Sequence, residues 1–97
     1  MELGLKGKTA IVTGGASNIG RGISLVLGAE GANVVIADID QKQAEKTVCD
    51  IKATSGNASF IKVDLTNYDD VTAMVEKVIN ELNSVDTLVN NIGWDSF

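Results

Sequence analysis

The residues with the clearest chemical meaning form a glycine-rich run, Thr13-Gly14-Gly15-Ala16-Ser17-Asn18-Ile19-Gly20-Arg21-Gly22. A pyrophosphate held at a helix N-terminus needs backbone N–H groups within hydrogen-bond reach, and a Cβ on the turn would hold it off. A tight strand-to-helix turn uses glycine for its own reasons, so the run alone leaves phosphate binding and a plain turn both open. Asp38 lies 24 residues after Gly14 and 18 after Gly20, where a dinucleotide site places the carboxylate that accepts hydrogen bonds from the adenosine ribose. Asp40 competes as the cap of a following helix, and the spacing favours Asp38 for the ribose. A carboxylate there repels a 2′-phosphate, and neither Ser17 nor Ile39 supplies a cation to offset it, so NAD is expected in preference to NADP. Asp64-Leu65-Thr66 and Asn90-Asn91-Ile92-Gly93 are two further polar segments; taken alone, each reads as a turn or a cap as readily as a ligand contact.

The elements that must position these residues show in the apolar pattern. Short β-branched runs at 9–13, 33–37, 58–63 and 87–90 read as strands apolar on both faces, and they alternate with stretches of three-and-four spacing at about 17–30, 41–54 and 68–83. The last stretch carries Tyr68, Val71, Met74, Val75, Val78, Ile79 and Leu82 on one expected core-facing stripe. Asn67 with Asp70 predicts its N-cap, while Gly31 and Gly56 stand just past the ends of the other two helices. The order β-α-β-α-β-α-β predicts an α/β chain with a doubly wound parallel sheet, a Rossmann fold in which right-handed crossovers give strand order 3-2-1-4. All four polar segments then fall at carboxyl ends of successive strands, the edge at which open α/β sheets bind ligands. One helix cannot cover a four-stranded face, and Leu88 and Val89 would form an apolar edge, so residues 1–97 are expected to be the front part of a longer fold.

Composition removes several alternatives. At 97 residues and 44% apolar content the chain is one unit with a packed core. It has no His and a single Cys, Cys49, expected to be a small core or semi-exposed helix residue. Neither a Cys/His zinc site nor a Ser/His/Asp triad can therefore be built from these residues, and no metal site is expected. Thirteen acidic against eight basic residues give a net charge of −5 with no cationic cluster, which argues against nucleic acid and anionic membranes as partners. No apolar run reaches the length of a membrane span and no signal-peptide core opens the chain, so a cytoplasmic protein is expected.

Together these segments resemble the short-chain dehydrogenase/reductase family along essentially the whole chain. Thr13-Gly14-x-x-x-Asn18-Ile19-Gly20 is similar to that family's T-G-x-x-x-G-x-G, Asp38 to its NAD-selecting acid, Asp64-Leu65 to its adenine-contacting D-[VIL], and Asn90-Asn91-Ile92-Gly93 to its N-N-A-G. The resemblance implies that Gly14, Ser17, Asn18, Ile19 and Gly20 hold the pyrophosphate and nearby ribose. Asp38, with Ile39 beside it, would take the adenosine ribose, and Asp64 and Leu65 the adenine. Asn90 would brace the sheet, with Asn91 and Gly93 beside the cofactor. Two positions depart from the family pattern: Asn18 replaces a glycine, where a tolerance for positive φ would be useful, and Ile92 replaces a small alanine.

The family implies a Tyr general acid/base with a Lys four residues later, plus a Ser and an Asn, and none can be assigned in this sequence. The only tyrosine, Tyr68, is followed at that spacing by Thr72, so it is read as structural. The expectation is the NAD-binding half of a dehydrogenase that exchanges hydride between a secondary alcohol and NAD, inactive as 97 residues alone and part of a homo-oligomer at full length. The Trp94-Asp95 pair resembles that of dehydrogenases acting on alicyclic hydroxyacyl-CoA alcohols. A non-catalytic nucleotide-binding module and an S-adenosylmethionine-dependent methyltransferase are the alternatives.

Overall fold

The computed structural model describes residues 4–14, 18–82 and 85–90. Its elements are β1 (Thr9–Thr13), α1 (Asn18–Ala29), β2 (Asn33–Asp38), α2 (Gln41–Ala53), β3 (Asn57–Lys62), α3 (Tyr68–Leu82) and β4 (Thr87–Asn90). The strands form one parallel sheet in the order β3-β2-β1-β4, as expected of a doubly wound chain. Thr13 pairs in register with Ala37 on one side and Asn90 on the other, and Asp38 pairs with Lys62.

The alternation of side chains along each strand divides the core in two. Ile11, Val35 and Ala37 meet Met74 and Val78 of α3 on one face; Val12, Val34 and Ile36 meet Ala44 and Ile51 of α2 on the other, with Leu25 and Leu27 of α1 packed alongside. Continuous apolar runs form strands here because both faces of the central pair need cover.

That reading holds for β1 and β2 and fails at the edges. Asn57 and Ser59 of β3 are exposed, as is Leu88 of β4, because each edge strand has a neighbour on only one side and incomplete helix cover. The third strand also begins one residue earlier than its apolar residues suggest, and Val63 is buried just beyond it. In α3 the core stripe is Val71, Met74, Val75, Val78 and Leu82. Tyr68 is 82% exposed and Ile79 is 44% exposed, so neither belongs to it: Tyr68 opens the helix, and both lie on the flanks of the stripe at 100° per residue. Cys49 is exposed.

Both helices on the α1/α2 face end in the same motif by different means. After α1, Gly31 takes φ +92°, its N–H bonds to the Gly28 carbonyl, and the Ala32 N–H reaches back to Leu27. This paired pattern is a Schellman ending with glycine in the left-handed position. After α2 the same two bonds run from Ser55 to Lys52 and from Gly56 to Ile51, and the left-handed residue is Ser55 at φ +67°. Gly56 answers a different demand: a Cβ there would stand 2.7 Å from the Cγ2 of the fully buried Ile51 and 3.0 Å from its carbonyl oxygen.

Adjacent substitutions should therefore have opposite signs. Ser55→Gly is expected to stabilise the intact protein by about 0.5–1 kcal/mol by relieving the left-handed strain, and Gly56→Ala to destabilise it by about 1–3 kcal/mol through overpacking. Denaturant midpoints of the two variants check both; matching shifts would refute the division of roles.

Candidate functional site

Each strand's carboxyl end delivers one of the polar segments to the same edge of the sheet. At the end of β1, Gly14 takes φ +67° while its N–H bonds to the Ala37 carbonyl at 2.9 Å, so the backbone turns away immediately after its last ladder bond. The Thr13 hydroxyl donates to the Val89 carbonyl at 3.2 Å, which ties the end of β1 to β4. Because α1 follows β1 on one face and α3 precedes β4 on the other, a crevice is expected to open between these two strands.

The chain enters α1 at Asn18, and Ile19 and Gly20 continue its first turn. Asn18 is helical, so this departure from the family pattern needs no positive φ. Ile19 is 70% exposed. The first turn of α1 holds no acidic residue, whereas Asp40 caps α2 through its bond from the Gln43 N–H and Asp69 and Asp70 sit in the first turn of α3. The positive end of the helix dipole at α1 is thus the one left without a carboxylate of its own, which suits an incoming anion. Arg21 on the next step of α1 is engaged sideways in an ion pair with Asp50 of α2.

At the end of β2 the two candidate acids separate. Asp40 is the helix cap; Asp38, half-buried, accepts the Asp40 N–H on one carboxylate oxygen at 2.9 Å. Asp38 therefore shapes its own turn while standing at the strand end that the ribose role requires. Ile39 beside it is 59% exposed.

Beyond β3, Asp64 is exposed and its Oδ1 accepts both the Thr66 hydroxyl, at 2.6 Å, and the Thr66 N–H, at 2.9 Å. The hydroxyl first and the N–H second hold this carboxyl below its ordinary range. Thr66 is the partner that spacing did not single out, although a hydroxyl two residues after an Asp is a turn signal. Leu65 packs against the α3-side core, so a ligand at this corner would meet its backbone. Asn90 closes β4 in register with Thr13. Ser17, Asn91 and Gly93, together with Ile92, Trp94 and Asp95, lie outside the described residues. No cluster of three or more His, Cys, Asp or Glu able to hold a metal occurs among the described residues, and no helix among them is long and apolar enough to cross a membrane.

Residues 8–97 match the family model described as short chain dehydrogenase. The 7alpha-hydroxysteroid dehydrogenase of Escherichia coli strain K12 is 37% identical over 92 residues, covering 95% of this chain and 36% of that protein. Among solved structures, a NAD+-bound xylitol dehydrogenase superposes with a TM-score of 0.89 at 29% identity, covering 93% of this chain and 35% of that one. A metagenomic short-chain oxidoreductase in complex with NADP gives 0.90 at 34% identity, covering 93% and 41%. The chain thus spans about a third of the length of the curated relatives it matches.

The Asp64 turn carries its own test. In Thr66→Val the carboxyl should titrate closer to the ordinary value of about 3.9, as read by carboxyl-carbon NMR, with the residual depression left by the Thr66 N–H. An unmoved midpoint would show that the hydroxyl is not the cause.

Proposed function

This chain belongs to the short-chain dehydrogenase family, and from that premise we propose that it forms the NAD-binding part of an oxidoreductase exchanging hydride between a secondary alcohol and NAD. The observation that carries the reading is the alignment at one sheet edge of the left-handed Gly14, the acid-free start of α1, Asp38, Asp64 and Asn90. That edge fits a dinucleotide, with a positive helix terminus for its pyrophosphate and a carboxylate one strand away for a ribose. The methyltransferase alternative falls with the family match.

In this reading Gly14, Ser17, Asn18, Ile19 and Gly20 hold the pyrophosphate, Asp38 accepts from the adenosine ribose above Ile39, Asp64 and the Leu65 backbone face the adenine, and Asn91 and Gly93 flank the cofactor. The nicotinamide supplies hydride transfer when bound, and these residues bind and orient it. Preference for NAD rests on charge: Asp38 opposes a 2′-phosphate, Ile39 is apolar, and Arg21 is already engaged with Asp50. Family structures hold either NAD+ or NADP, so the discrimination belongs to these residues and not to the fold.

The groups that move the alcohol proton are assigned to the rest of a chain about three times this length. That remainder would also cover Ile19, Val26 and Leu88, which are 59–70% exposed. The Trp94-Asp95 pair, together with a relative named for a hydroxysteroid, favours a ring-borne or hydroxyacyl-thioester alcohol. On the same reading the whole protein is a cytoplasmic homo-oligomer.

The test uses the intact protein. Binding of NAD, followed by fluorescence, and alcohol-dependent NAD reduction are both expected; binding with no turnover across secondary alcohols would leave a nucleotide-binding module. Asp38→Ala should weaken NAD about ten- to a hundredfold, the worth of hydrogen bonds to a charged acceptor, and weaken NADP less. Equal losses would reduce Asp38 to a turn residue.

A further inference from the structure

The cation nearest to Asp38 by strand register is one that motif spacing does not reveal. Lys62, the last residue of β3, pairs in register with Asp38, the last residue of β2. Neighbouring parallel strands lie about 4.8 Å apart, and in-register residues point to the same face. Val34 and Ile36 of β2 and Ala58 and Phe60 of β3 all pack into the core on the α1/α2 side. The same alternation carries Asp38 and Lys62 to that side. Lys62 is exposed, and the described residues record no ion pair for it. Its flexible four-carbon stem is therefore available to swing its ammonium toward whatever binds at Asp38. The other charges at this corner are committed or displaced: Asp40 caps α2, Asp64 is held by Thr66, and Lys42 stands exposed on the first turn of α2.

We propose that Lys62 determines how strongly this site rejects NADP, its ammonium offsetting across the β2–β3 register the repulsion between Asp38 and a 2′-phosphate. This rests on the dinucleotide-binding reading above. A phosphate monoester brings about two negative charges, and an attractive ammonium one strand from the repelling carboxylate acts over a comparable distance with opposite sign. NAD lacks the phosphate, so its affinity has little to gain from Lys62. The consequence is a graded preference for NAD in which NADP still binds, set by the pair Asp38 and Lys62 together.

The experiment measures dissociation constants for NAD and NADP with the intact wild-type protein and with Lys62→Gln, Lys62→Arg and Lys42→Gln. Lys62→Gln should weaken NADP about three- to fivefold, the factor that about 0.6 to 1 kcal/mol of exposed charge attraction supplies, and leave NAD within about twofold. Lys62→Arg should keep the wild-type ratio, and Lys42→Gln should leave it unchanged. Raising the salt concentration should weaken NADP more than NAD in the wild type and remove most of the difference between wild type and Lys62→Gln. An unchanged ratio in Lys62→Gln, whether from no loss or from equal losses for both cofactors, or an equal shift in Lys42→Gln, would overturn the assignment to Lys62 while leaving the dinucleotide-binding reading in place. Wild type that binds neither dinucleotide would instead overturn the underlying reading, and this one with it.

Discussion

Parallel pairing of β1 with both β2 and β4 is the constraint on which everything else rests. Parallel neighbours must be joined by crossovers, and a strand paired on both edges and buried on both faces needs helices on both sides. The chain meets this with α1 and α2 on one face and α3 on the other, and so passes from one side of the sheet to the other between β1 and β4. Every strand then points its carboxyl end the same way. Four segments far apart in sequence are brought to one edge without any of them having to attract another.

The edge so formed is acidic, and its acids have different employments. Asp40 closes the start of α2 and Asp64 is pinned by Thr66, while Asp50, near the far end of α2 and away from that edge, holds Arg21 of α1. Asp38 shapes its own turn with one oxygen and ends β2 beside β1. The distribution matters because an anionic ligand approaching α1 meets a helix terminus with no acid in its first turn, while the carboxylates lie along the strands toward β3. Charge alone thus gives the crevice a direction, with an anion-accepting middle at β1 and a hydroxyl-accepting arm at β2.

Much of this was legible in the sequence because it is local. Asn67 as the cap of α3, Asp40 as the cap of α2 and Gly31 as the left-handed end of α1 each depend on a few neighbouring residues, and each stands where its spacing placed it. Local rules fail where they meet a non-local surface. Gly56 looks like the left-handed residue after α2, but packing against Ile51 is what requires glycine there, and Ser55 takes the strained conformation. Tyr68 looks like the start of an apolar stripe, but its flank is not covered and it stands in solvent.

Element order, parallel topology and the four polar segments are readable from the chain alone, because periodicity and turn chemistry are written in neighbouring residues. Burial at the edges, the pairing of Arg21 with Asp50 and the alignment of Asp38 with Lys62 arise only once the chain is folded. These depend on which strand lies beside which and in what register, and a one-residue slip of β3 would send Lys62 to the opposite face with no change in any local motif.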